Sequence, residues 1–289
     1  KAARGVALDG SSSWWPEEKK EARLPAISRV NRSTYIDLFN RGRLPYTYSI
    51  KSNASWLIVS SDEGRVQHSR RIELHADRNS APTNYTEAHL IISGPNGQSV
   101  TVKVPFENAI PDRFTGFAET NGYISIKADH FSKAVNEGAV RWERIPGIGK
   151  DGNGMHIVPV MASAAPSGKG PFLEYRIWLR DTGRISVNIS CSPTLGFNGD
   201  TLRYGVSFDN EAPQTVNILS DHSNKQWTEW VADNINTSTS VHEVGKPGLH
   251  VLKYWMVDPG IVVQKITLDC GGLKETYLGP PETRIPDHF

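Results

Sequence analysis

The residues with the chemistry to act on a substrate are dispersed along this chain. Acid–base catalysis by carboxylates needs two acids facing each other across the reacting bond. The candidate acids of the second half are Glu143, Glu174, Asp181, Asp209, Glu211, Asp258 and Asp269. They lie scattered among turns, where acids commonly serve as turn or solvated residues, and that is the preferred reading. Gly147-Ile-Gly-Lys-Asp-Gly-Asn-Gly (147–154) is glycine-rich enough to approach an anion. It lacks the Lys-Ser/Thr end of a phosphate loop and opens no helix, so it reads as an inter-strand loop. The nine histidines show no metal-ligand spacing. His130 and His156 read as ordinary satisfied side chains. A Ser-His-Asp triad can be assembled on paper from many positions, so none is indicated.

The elements that must position these residues are strands. At 289 residues the chain exceeds the usual single-domain size, and two domains are expected. Apolar content of 38% with eight tryptophans supplies real cores, and no low-complexity tract suggests disorder. The 32 basic and 31 acidic residues are evenly spread, which argues against a nucleic-acid or membrane-surface partner. No run of about 18 apolar residues is present to span a membrane. The chain starts at Lys1 without an initiator Met or signal peptide, so it reads as processed or as a fragment.

Residues 1–108 carry short alternating segments at near-regular spacing. Thr34-Tyr-Ile-Asp-Leu-Phe, Tyr46-Thr-Tyr-Ser-Ile, Trp56-Leu-Ile-Val-Ser, Arg71-Ile-Glu-Leu-His-Ala, the 86–92 segment and Ser99-Val-Thr-Val-Lys-Val-Pro are separated by turn chemistry. This predicts an all-β, immunoglobulin-like sandwich. A Pro-containing aperiodic stretch places a linker at 109–113. Residues 114–289 repeat the strand pattern and predict a second, jelly-roll-like sandwich with an extended tail. Within it, 129–136 reads as one short helical turn, and 224–235 has helical spacing. Pro259-Gly260 is a tight turn expected to reverse one strand onto the next.

The wording of the second unit is more specific than its periodicity. Arg141-Trp-Glu-Arg-Ile-Pro-Gly-Ile-Gly, Leu173-Glu-Tyr-Arg-Ile, Asp181-Thr-Gly, Ser192-Pro-Thr-Leu-Gly-Phe, Leu202-Arg-Tyr-Gly-Val-Ser-Phe-Asp, Trp230-Val-Ala-Asp-Asn-Ile and the tail Trp255-Met-Val-Asp-Pro-Gly resemble the C-terminal sandwich of the family-115 glycoside hydrolases. Those enzymes are xylan α-(4-O-methyl)glucuronidases. The first unit resembles the sandwich that precedes it in them. The resemblance does not reach their catalytic domains, so no catalytic residue carries over. It implies a non-catalytic accessory region, structural and xylan- or glucuronoxylan-binding, whose partners are upstream catalytic domains and a second copy in a homodimer. A self-standing secreted carbohydrate-binding protein is the alternative.

Sugars are gripped by aromatic faces, because pyranose C–H faces are apolar while hydroxyls demand partners. Trp142, Trp178, Trp227, Trp230, Trp255 and Tyr277 are available in the second unit. Trp178 and Trp255, inside strands, are expected to be buried. Trp14 and Trp15, in a polar loop, and Trp227 and Trp230, three apart on a short helix, are the carbohydrate-binding candidates. No cofactor is implied apart from a structural calcium, for which Asp129 and Asp269 are the nominees, with no metal preferred. Cys191 and Cys270 form either a disulfide or two buried thiols. Five Asn-X-Ser/Thr sequons, at Asn31, Asn53, Asn84, Asn188 and Asn236, point to glycosylation and to a secreted, extracellular location.

Overall fold

The computed structural model describes residues 1–149, 152–196, 199–221, 223–274, 276 and 279–285. The chain divides into two compact units, Lys1–Asp112 and Arg113–Phe289. Both are β-sandwiches, and the one α-helix among the described residues is Asn224–Asp233. No helix is long and apolar enough to cross a membrane.

The first unit is built from two five-stranded sheets. One carries the strands Arg4–Leu8, Trp14–Trp15, Ser33–Asn40, Leu57–Val59 and Ser69–Ala76; the other carries Ala22–Arg23, Tyr46–Ser52, Glu63–Val66, Thr86–Ser93 and Ser99–Phe106. Period-2 alternation turns Ile36, Leu38, Ile72 and Leu74 of the first inward against Leu90, Ile92, Val102 and Val104 of the second, all fully buried. The polar loop expected around Trp14 and Trp15 contains a short edge strand, Trp14–Trp15, paired with Val6 and Ala7.

The second unit packs a seven-stranded sheet against a six-stranded one. Three tyrosines, Tyr175, Tyr204 and Tyr254, are among its largest buried side chains. Tyr204 stacks on Tyr254 at 5.2 Å, and the Tyr175 hydroxyl donates to the Ala128 carbonyl at 2.7 Å. The helix forms where its spacing predicts. Ser223 caps it by accepting from the Gln226 N–H, and Asn234 ends it in the left-handed region at φ 55°.

Two expectations need correction. The 129–136 stretch forms no helical turn; Lys133–Val135 is an edge strand on Phe172–Glu174. The open edge of the Phe172–Glu174 strand, with β-branched Val135 opposite Phe172, takes the segment up as a strand despite the helix preference of Ala134. Pro259-Gly260 does turn the chain, with Gly260 at φ 95°. The flanking strands, however, do not pair: Gly248–Met256 lies in the seven-stranded sheet and Val263–Asp269 in the six-stranded one. The turn moves the chain across the sandwich, a jelly-roll connection rather than a hairpin.

Candidate functional site

Most sequence-nominated acids have structural partners. Asp258 takes the Arg203 guanidinium through both oxygens, at 2.8 and 3.0 Å, and also the Arg203 N–H. Asp209 pairs with His250 Nδ1 at 2.7 Å and accepts the Val251 N–H. Glu211 pairs with the buried His242 at 2.7 Å and accepts the Phe208 N–H. Asp269 accepts the Gly271 and Leu273 amides, closing its own turn. Asp181 accepts from Arg180 Nε at 2.7 Å, and Glu143 from Arg141 at 3.4 Å. Glu174 stands on the outer sheet face, opposite Lys253. A further acid with no sequence signal, Glu119, is buried and accepts the Arg180 N–H at 2.8 Å. Burial, as the largest cause, holds its carboxyl above the usual range.

His130 is anchored by Glu282 at 2.8 Å. Of the glycine-rich loop, Lys150 and Asp151 lie outside the described residues, as does Tyr277.

The calcium nominees do not converge. Asp269 pairs with Tyr123 at one end of the Tyr123–Lys127/Lys265–Asp269 ladder, and Asp129 lies beyond the other end. Asp129 is held instead by Asn153, whose Nδ2 donates to Oδ2 at 2.8 Å. Among the described residues no group of three or more His, Cys, Asp or Glu side chains is placed to hold a metal.

Cys191 and Cys270 are free thiols. Cys191 sits opposite Val263, whereas Cys270 lies past Asp269 at the far end of the same strand. Seven residues of strand put them roughly 20 Å apart, far beyond disulfide reach. Burial pushes the Cys191 thiol up to about 12 and moves the Cys270 thiol the same way.

Among the sequons, Asn236 is fully buried and its amide donates to the Ile218 carbonyl, so it has no room for a glycan. Asn31 and Asn188 are half-buried and hydrogen-bonded, while Asn53 and Asn84 are exposed, Asn53 Oδ1 accepting the His89 N–H at 2.7 Å.

The nominated tryptophans are largely occupied. Trp15 is buried, with Nε1 donating to the Lys20 carbonyl at 2.8 Å. Strand alternation turns it inward. Trp14 is half-buried, and the Arg41 guanidinium lies over its ring at 3.8 Å. Trp230 packs against the core of the second unit, and Trp227 meets it edge-on at 6.5 Å.

The aromatics that reach the outer face of the seven-stranded sheet include two expected inside. In Phe172–Leu179, the residues Leu173, Tyr175, Ile177 and Leu179 point inward, leaving Phe172, Glu174, Arg176 and Trp178 on the other face. In Gly248–Met256, the residues Leu249, Val251, Lys253 and Trp255 face out in the same way. Trp178 and Trp255 are therefore half-buried on the outer face, contrary to expectation. Sequence alternation gave the period but not the sign, because both faces carry aromatic rings.

Register assembles these residues into two rows crossing four strands. Gly205, Trp255, Phe172 and Val135 make one; Ser207, Lys253, Glu174 and Lys133 make the other. The Phe172 and Trp255 rings lie 4.3 Å apart, tilted by 39°. Trp255 Nε1 donates to Ser207 Oγ at 2.9 Å, which fixes the indole. The Lys253 ammonium stands 5.5 and 5.8 Å from the two ring centroids. Gly205 is required here: a Cβ would come 2.5 Å from Ser167 Oγ and 3.3 Å from Trp255 Cβ. The segment carrying Ser167 thus walls one end of the rows. Chemically, the arrangement offers apolar ring surface beside alternating donors and acceptors, a surface for binding rather than for proton transfer.

Residues 116–282 match the glycosyl hydrolase family 115 C-terminal domain, and residues 21–106 match the viral BACON domain. Among solved structures, the chain is similar to BtGH115A, a family GH115 4-O-methyl-α-glucuronidase with specificity for decorated arabinogalactans. Identity is 20% and the TM-score 0.40, over 50% of this chain and 17% of that enzyme. It is also similar to the C-terminal CBM6 of LamC, a marine laminarinase from Zobellia galactanivorans, at 12% identity and TM-score 0.35, covering 51% of this chain and 98% of that one. A family 35 carbohydrate-binding module from Clostridium thermocellum matches at 10% identity and TM-score 0.35, over 50% and 97% of the two chains. No curated protein sequence matches the chain. The chain spans about a sixth of the family GH115 enzyme's length. With the family domain matched over more than half its residues, the chain belongs to glycosyl hydrolase family 115 through that family's C-terminal domain.

Proposed function

We propose that this chain is a non-catalytic accessory region of a xylan α-(4-O-methyl)glucuronidase that binds glucuronoxylan and supports catalytic domains elsewhere in the enzyme. One observation carries the non-catalytic part: Asp258 and Asp209 engage both oxygens, and Glu211, Asp269 and Asp181 one each, with guanidinium, imidazole or backbone N–H partners. A carboxylate tied to an arginine or closing its own turn is committed to structure, and inverting hydrolysis needs two carboxylates roughly 6.5–9.5 Å apart across the sugar. The binding part draws support from family membership and from the outward aromatic row. Secretion and pairing with a second copy belong to the same proposal. The exposed Asn53 and Asn84 sequons suit a secreted chain.

The test is incubation of the 289-residue chain with glucuronoxylan while both bound polymer and released uronic acid are measured. Polymer binding with no release is expected. Release of uronic acid, or no binding, would overturn the reading.

A further inference from the structure

We infer that the two rows on the outer face of the seven-stranded sheet form a binding strip for an extended pyranose chain, with Trp255 and Phe172 as its floor. This inference rests on the glycan-binding reading above and names the surface responsible for it.

A pyranose presents an apolar C–H face and an edge of hydroxyls, each both donor and acceptor. A surface complementary to it needs rings on one line and mixed polar groups on a parallel line. The rows supply both. Trp255 and Phe172 are direct cross-strand neighbours. Two residues further along each strand, at about 6.6 Å, come Lys253 and Glu174. Lys133 extends that second row, so it runs ammonium, carboxylate, ammonium, while Ser207 on the other side of Lys253 is buried and serves to hold Trp255. A sugar lying on the rings places its hydroxyl edge over these groups, where donors alternate with acceptors.

The span also fits. With Gly205 and Ser207 buried, the three remaining strands at about 4.8 Å spacing leave a strip of roughly 10 Å, room for more than one sugar ring. Its floor is preset, because the hydrogen bond to Ser207 Oγ holds the Trp255 indole and little rotamer freedom remains to be lost on binding. The other nominated surfaces lack these properties: Trp14 is covered by Arg41, and Trp227 turns toward Trp230.

The experiment is isothermal titration of the whole chain with a linear xylo-oligosaccharide of six units and with glucuronoxylan, for wild type and five variants. Each variant is first checked for a native unfolding transition. Trp255→Ala should weaken binding about tenfold or more, equivalent to ~1.4 kcal/mol or more. Phe172→Ala and Lys253→Gln should give smaller losses, and Trp227→Ala none. Should Trp255→Ala fail to fold, Lys253→Gln and the conservative Trp255→Phe decide the matter by the same ordering. Wild-type affinity in folded Trp255→Ala and Lys253→Gln would overturn the strip and leave the glycan-binding reading standing. Absence of binding by wild type would overturn both.

Discussion

The outer faces of the two sandwiches cover their aromatic rings to different degrees. In the first unit, guanidinium groups cap the rings: Arg71 lies 3.7 Å over Tyr35 and Arg41 lies 3.8 Å over Trp14. Arg71 is further tied to Asp37 by two hydrogen bonds, at 2.9 and 2.7 Å. In the second unit, Phe172 and Trp255 lie tilted against one another, and the Lys253 ammonium reaches both rings only at 5.5 and 5.8 Å, a looser cation–π contact. A ring under an arginine has its face filled by an intramolecular cation–π contact, worth about 0.5–1 kcal/mol at an exposed site. A ring stacked beside a polar row still has apolar area to offer a ligand. The same layered architecture therefore yields one face closed on itself and one arranged to receive something.

The sharpest way to break this comparison lies in two adjacent residues. Tyr254 points into the core and stacks on Tyr204; Trp255 points out. Tyr254→Ala should cost about 3–5 kcal/mol of stability, in line with other large-to-small core truncations, as measured by urea unfolding. Trp255→Ala should cost much less stability and act on glycan affinity instead. Equal destabilisation by the two would mean that Trp255 is a core residue and that the outer face is not distinct.

A second test concerns the thiols. With Cys191 raised to about 12 by burial, almost no thiolate exists at pH 8. Thiol titration should find neither cysteine reactive in the folded protein and both reactive after unfolding without reductant. No reactive thiol after unfolding would restore a disulfide.

The third test uses Glu119. Its folded carboxyl is raised by burial, so between the unfolded value, ~4.3 for glutamate, and the folded one the native state binds more protons than the unfolded state. Stability is then fully supported below the unfolded value and falls as pH rises through the folded one. Glu119→Gln should flatten that fall in thermal unfolding across pH 4–7. An unchanged profile would show that Glu119 is not the group responsible.

The smallest effect is expected at Asp258→Asn. Its partner Arg203 is substantially exposed, with side-chain exposure of 41%, so solvent screens the pair. A loss of about 1 kcal/mol or less is predicted from chemical unfolding.

Much of this fold was legible in the sequence, because period-2 alternation marks strands and Gly, Pro and Asn mark turns. The helix announced itself by spacing; its caps, Ser223 and Asn234, came from the structure. What remained hidden was long-range pairing. Pro259-Gly260 reads as a turn, yet nothing local says whether its strands pair or enter different sheets. The separation of Cys191 from Cys270 likewise depends on register, as does the separation of Asp129 from Asp269. The candidate site was hidden for a related reason. Phe172-Leu-Glu-Tyr-Arg-Ile-Trp-Leu places aromatic rings on both faces, so composition alone could not tell which face met solvent. Trp14 and Trp15 looked exposed because their segment is polar, and only pairing with Val6 and Ala7 reveals where they sit.

The most direct measurement is affinity electrophoresis in glucuronoxylan gels, running wild type, Trp14→Ala and Trp255→Ala side by side with a polymer-free control. The expected result is equal retardation of wild type and Trp14→Ala, with Trp255→Ala migrating close to its position in the polymer-free gel. Retardation lost in Trp14→Ala and kept in Trp255→Ala would contradict the account, because the face closed by arginine would then be the one that binds.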